Sequence, residues 1–268
     1  MTESAFFTIA FALYAAAALL YLAFLFGKKP KWARAAFIAA SAGLALHTVA
    51  LVLRTFQSGH APFTNMYESM SFLAWASVLA FIIIETMFKI PKVGAYVMLF
   101  VIAIMALASS PLMPKEAAPL IPALQSYWLW LHVSVTLLGE AFFAVAFITS
   151  IMYLRAKDPE KKAKMDSVSY RCVSIGFPLF TLGGLIFGMV WAEKAWGTYW
   201  NWDPKEVWSL ITWFVFALYL HTRICLLYTS DAADDLLRLA LGGRRSIKKK
   251  KHNHPAQTHT LTHPMLSP

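Results

Sequence analysis

The sequence predicts an all-α fold, a polytopic membrane bundle of about seven transmembrane helices with the amino terminus outside. Three observations carry this expectation. Of 268 residues, 59% are hydrophobic and only 14% charged, about half the charged share of a soluble domain. Apolar runs long enough for a bilayer, roughly 20 helical residues each, recur seven times along the chain. Lys and Arg gather in alternate connections between those runs, as membrane orientation requires. A soluble α/β enzyme is excluded by the composition alone.

The spans are expected at about 5–27, 35–54, 70–89, 93–111, 129–154, 172–192 and 204–225. The first connection holds Lys28, Lys29, Lys31 and Arg34, and the third holds Lys89 and Lys92. The fifth holds Arg155, Lys157, Lys161, Lys162, Lys164 and Arg171, and Arg223 follows the seventh span. Connections two, four and six are far poorer in positive charge, so the odd ones face the cytoplasm. The first run is too long for a cleavable signal peptide and lacks a charged start and a small-residue cleavage site.

The formal charge of +10 does not indicate nucleic acid. Residues from Thr229 onward contribute +4, and the remaining +6 lies in these short clusters. Cys172 and Cys225 form no CxxC, which excludes a disulfide framework and a cysteine-based zinc or iron–sulfur centre.

The outer connections collect the unusual residues. The second reads RTFQSGHAPFTNMYES, the fourth PLMPKEAAPLIPALQSYWLW and the sixth WAEKAWGTYWNWDPKEVW. An interfacial aromatic belt accounts for Trp128 and Trp130. It accounts poorly for Trp191, Trp196, Tyr199, Trp200, Trp202 and Trp208, which fall within 18 residues. Asp203 is placed to cap the seventh span, with Pro204 at its first position and Glu206 three residues after the cap. The connection therefore enters that span at a fixed angle. Its aromatic faces form a shelf suited to a flat, apolar, π-stacking ligand.

Four histidines lie before the tail. An ionisable residue within the membrane is a functional candidate, against the plain alternative of a hydrogen-bonded packing histidine. His132 begins the fifth span at the outer face, beside Trp128 and Trp130. His221 follows Pro204 by 17 residues, about 25 Å deeper. These two cannot share one iron. His47 precedes Arg54 by seven residues, roughly 10 Å below the outer surface. His60 either approaches His132 or hydrogen-bonds its own loop. If each site needs two histidines, the inner one lacks a mate in this chain, which points to a partner subunit. Glu140 lies two turns beyond His132 and reads as a neutral buried acid rather than a site residue. Arg54 and Glu68 flank the second connection and are candidates to brace it.

With these residues in view, WGTYWNWDPKEVWSLITW resembles the tryptophan-rich WWD segment of haem-handling proteins, and most closely the CcsA/ResC branch of cytochrome c biogenesis, System II. RTFQSGHAPFTNMYESMSFLAW resembles the amino-terminal signature of that branch. WLWLHVSVTLLG and YLHTR resemble its histidine-bearing segments before and after the WWD loop.

The resemblance implies a haem-handling subunit of a cytochrome c synthase, working with a ResB/Ccs1-type membrane partner. Haem b would be moved or presented to the outer face and joined to the CxxCH thiols of apocytochrome c, a holocytochrome c synthase reaction. A thioredoxin-like thiol reductant is a further implied partner. His132 and His221 match axial haem-iron ligands, external and intramembrane respectively. Trp191, Trp196, Trp200, Trp202, Asp203 and Trp208 match the haem-contacting shelf. Location in a bacterial inner membrane or a thylakoid membrane is implied. No residues are assigned to acid–base catalysis, because positioning of haem beside thiolates is the main requirement.

The sequence departs from this pattern near its end. The family has an eighth span after YLHTR, preceded by a loop with a second external histidine, whereas residues 226–268 carry four consecutive lysines and a polar Thr/His/Pro end. That stretch resembles translated sequencing-adapter read-through on a longer natural protein. It also reads as a basic tail drawn to anionic lipid, or as a metal tract of His252, His254, His259 and His263. The domain expectation is thus a membrane domain over 1–225 and a disordered tail over 226–268. Competing functions are a CcmC-type protein passing haem to a chaperone, a haem-free transporter, and a cytochrome b-like anchor. The first has six spans and lacks GHAPFTNMYE, the second needs polar pore-lining residues, and the third needs histidines paired at one depth.

Overall fold

The computed structural model describes residues 2–111, 113–115 and 124–225. Within them the fold is helical with no strand. The helices are α1 (Glu3–Gly27), α2 (Pro30–Ser58), α3 (Met66–Phe88), α4 (Pro91–Ala108), α5 (Tyr127–Arg155), α6 (Pro159–Phe180) and α7 (Gly188–Trp196). A π-helical segment, Thr181–Phe187, joins α6 to α7 without a break, and α8 runs over Pro204–Cys225. Counting Pro159–Trp196 as one rod, seven helices among the described residues are long and apolar enough to cross a membrane. The chain divides into two compact units, Met1–Leu220 and His221–Pro268. The expected tail over 226–268, with its histidine tract, lies outside the described residues.

Local chemistry fixes the helix ends. Pro30, Pro91 and Pro159 stand in the first turns of α2, α4 and α6, where a missing N–H costs no helical bond. Asn65 caps α3 by accepting from Glu68 N at 2.8 Å, and Asp158 caps α6 by accepting from Glu160 N at 3.1 Å. These caps explain the main departure from expectation. The sixth span starts at Pro159 rather than 172, so Lys161, Lys162 and Lys164 lie on a helix and not in a connection. Hydropathy ends a span where charge appears; the backbone continues wherever a cap and good helix formers allow it.

In the first unit α1 packs on α2 and α4, α3 packs on α4 and α5, and α5 packs along α6 and the π segment. Tyr14, Tyr21, Phe81, Met98 and Met105 are fully buried between them. The α5–α6 crossing is close because Gly139 faces Gly176: a β-carbon on Gly139 would stand 3.0 Å from the Gly176 carbonyl oxygen. The first part of α8 rests on this pair, with Phe216 stacked on Phe143 at 3.9 Å and Trp213 Nε1 donating to Thr181 Oγ1 at 3.0 Å. The site sits at the outer end of this packing.

Candidate haem-handling site

His132 occupies the second turn of α5, and its surroundings fix its chemical form. Its Nδ1 lies 2.8 Å from the carbonyl oxygen of Gly183. A carbonyl only accepts, so Nδ1 carries the proton and Nε2 keeps its lone pair. The ring lies parallel to the Trp191 indole, at 4° and 5.9 Å between centroids. An imidazole held in one tautomer by a carbonyl behind it is the usual arrangement of a metal-ligating histidine.

Gly183 reaches α5 because it lacks a side chain. A β-carbon there would fall on the backbone of Val135 and Thr136. One turn on, a β-carbon on Gly188 would sit 3.1 Å from His132 Nδ1. These two glycines are among the residues that sequence reasoning missed. The signal was present as GGLIFG, a small-residue spacing that lets membrane helices approach.

The connection between α7 and α8 is tied to itself. Gly197 ends α7 in the left-handed region at φ 76°, and its N–H bonds Glu193 O at 2.8 Å. Thr198 Oγ1 donates to Asn201 Oδ1 at 2.7 Å. Asp203 Oδ1 accepts from Glu206 N at 2.8 Å, as its capping role requires. Glu206 Oε2 accepts from Asn201 N at 2.7 Å, two residues before the cap. Trp202, between these anchors, is held at φ 59°, a region bulky residues avoid.

His132, Trp191, Trp196, Tyr199, Trp200 and Asp203 line one recess of about 140 Å³. Lys205, Glu206 and Met189 also line it, and of these only Glu206 was legible in the sequence, as part of the cap. Trp200 Nε1 is buried there with no hydrogen-bond partner among the described residues. Trp202 and Trp208 are not in the lining; they are 70% and 68% exposed. Trp202 meets Trp200 edge to face at 5.7 Å. His221 belongs to the second unit, where its Nε2 lies 3.6 Å from Cys225 Sγ.

The other polar residues have structural partners. His47 is fully buried in the first unit, its Nε2 2.9 Å from Ser71 Oγ and its Nδ1 3.5 Å from Tyr14 Oη. His60 Nδ1 donates to Ala61 O at 3.1 Å, so it bonds its own loop. Arg54 does brace the second connection: its guanidinium donates to Glu68 Oε1 at 2.9 Å and to Lys115 O at 2.7 Å. Glu68 Oε2 accepts from both Thr64 N and Thr64 Oγ1, at 2.9 and 2.8 Å. Glu140 is half-buried on α5.

Seven membrane-length helices and an outer aromatic recess around a tautomer-fixed histidine define a polytopic membrane protein with a built site at one face. A family model described as cytochrome C assembly protein matches residues 63–234, more than half of the chain. The chain belongs to that family and is of the CcsA type. It is 38% identical over 221 residues to the cytochrome c biogenesis protein CcsA of Guillardia theta, covering 70% of this chain and 73% of that one. It is 40% identical over 226 residues to CcsA of Synechococcus sp. (strain CC9311), covering 69% and 73%. CcsA of Chlamydomonas reinhardtii is 41% identical over 189 residues, covering 65% of this chain and 53% of its own length. The protein is therefore an integral membrane protein of cytochrome c biogenesis, and its family implies haem handling.

Proposed function

We propose that the chain presents haem b, as substrate, at its outer face for attachment to the CxxCH thiols of apocytochrome c. The observation that carries this reading is the Nδ1-protonated His132, whose bare Nε2 is available as an axial ligand at the wall of a tryptophan-lined recess. The residues present fit the group: Trp191 fixes the imidazole plane, Trp196 and Trp200 supply flat apolar walls, and the unpartnered Trp200 Nε1 and Lys205 offer polar contacts. A recess of about 140 Å³ is smaller than the roughly 300–1,000 Å³ of whole cofactor sites. It encloses one part of a macrocycle, and the exposed Trp202 and Trp208 extend its rim toward a partner.

The bond made is a thioether. A thiol adds across each haem vinyl group: the S–H bond and the vinyl π bond are lost, and an S–C and a C–H bond form, with no net oxidation. The protein's contribution is to orient the ring edge and exclude water. His221 serves a separate, deeper site completed by a ResB/Ccs1-type subunit, and a thioredoxin-like reductant keeps the apocytochrome thiols free. The membrane domain is 1–225.

The test is an optical spectrum of the complex purified with its ResB-type partner, unmutated and with His132→Ala or His221→Ala. A reduced b-type spectrum weakened separately by each change supports two sites at two depths. Absence of haem from the unmutated complex overturns the reading.

A further inference from the structure

A second cavity, of about 630 Å³, opens at the opposite, basic end of the bundle. It lies where two short connections meet: Lys89–Ile90 between α3 and α4, and Ala156–Asp158 between α5 and α6. Its rim carries Lys89, Lys92, Arg155, Lys161 and Lys164. Two of these are engaged: Lys161 Nζ pairs with Asp158 Oδ2 at 2.8 Å, and Lys164 Nζ donates to Lys89 O at 3.3 Å. Glu85, the nearby acid of α3, accepts from Ile90 N at 2.9 Å. Lys89, Lys92 and Arg155 have no carboxylate within ion-pair distance among the described residues. Below this rim the walls are apolar, formed by Phe24, Val93, Ile148, Ile151 and Met152.

A ligand for this cavity needs an anionic head at the interface and an apolar body running down between the helices. We propose that it binds an anionic phospholipid, the phosphate on Lys89, Lys92 and Arg155 and one acyl chain along α4 and α5. The position favours a lipid over a soluble anion. Charge asymmetry sets this end of the bundle at the inner leaflet, where anionic headgroups concentrate. A phosphate ion alone would leave the apolar walls unfilled. The site is independent of the haem reading and of the outer recess.

The full chain is reconstituted in nanodiscs of mixed phosphatidylglycerol and phosphatidylcholine, then released gently, and retained lipid is counted by native mass spectrometry. The native chain keeps phosphatidylglycerol in preference. Lys92→Gln with Arg155→Gln lowers that preference by about fivefold per charge removed, while the exchange Lys92→Arg with Arg155→Lys retains it. Lys29→Gln with Arg34→Gln removes the same charge from the start of α2, at the same inner side, and leaves the preference unchanged. Helical content and monodisperse elution verify each variant. Equal retention of the two lipids by the native chain overturns the proposal. So does equal loss in both glutamine pairs, which marks diffuse surface charge, or displacement of the lipid by inorganic phosphate, which marks a soluble-anion site.

Discussion

His132 on α5 and Gly183 in the π-helical segment are joined by a 2.8 Å hydrogen bond from imidazole Nδ1 to a main-chain carbonyl. The bond links a candidate ligand to backbone and leaves no side chain to rotate away. Its geometry depends on the bare α-carbon at 183. Gly183→Ala would force α5 and the π segment apart, with an expected cost of about 1–3 kcal/mol from overpacking. Thermal unfolding in detergent reads the stability loss, and the spectrum of the partner complex reads the displaced histidine. A normal melting temperature with a normal spectrum would mean the contact is slack.

Arg54 and Glu68 form a pair whose members are 12% and 0% exposed at the side chain. Removing only the cation strands a buried carboxylate, so Arg54→Leu is expected to destabilise by about 3–5 kcal/mol. Arg54→Leu with Glu68→Leu should recover most of that loss, because no charge is then left without a partner. The double-variant cycle by thermal unfolding checks it, and additive losses would contradict coupling.

Asp203 ends the outer connection and starts α8, and its carboxylate oxygen serves one N–H. Asp203→Ala should cost about 1 kcal/mol in helix stability, whereas Asp203→Asn, an equally good cap, should be close to neutral. If both variants lose haem equally while only the alanine form loses stability, Asp203 acts on the ligand through its charge and not through the cap.

Trp202 is the one tryptophan held in the left-handed region, at φ 59°. Relief of that backbone by Trp202→Gly should stabilise the protein by about 1 kcal/mol. The same change removes an exposed aromatic from the rim, so transfer of haem to apocytochrome should fall as the melting temperature rises. Parallel loss of both would show that the indole is needed for folding.

Trp200 and Trp208 separate lining from periphery. Trp200→Ala removes a wall of the recess, and Trp208→Ala removes a side chain 68% exposed outside it. The absorbance of haem copurified with the partner complex should drop several times more for the first. The reverse order would move the contact surface from the recess to the rim.

The helix inventory and the cap of α8 were legible in the sequence because they rest on local chemistry. Asp203, Pro204 and Glu206 declare the start of α8, and Arg54 and Glu68 could be marked as braces from their places beside one loop. The start of α6 is hidden from hydropathy by its charged first turns, and only Asp158 and Pro159 mark it. The His47–Ser71 bond was not legible, since it depends on the register between α2 and α3, which an apolar pattern around the whole helix does not set. The π segment was equally hidden. TLGGLIF has no periodicity that separates it from α-helix, and only its carbonyl pairing distinguishes the two.

That segment makes residue count a rotational setting. Winding the same seven residues as ordinary α-helix would turn α7 by about 100° relative to α6, roughly one residue's worth. Gly176 would stay against Gly139 while Trp191 and Trp196 swung to another azimuth. Deleting one residue at the same time would cancel most of that turn, so the wide winding absorbs one extra residue and keeps those indoles on their present neighbours.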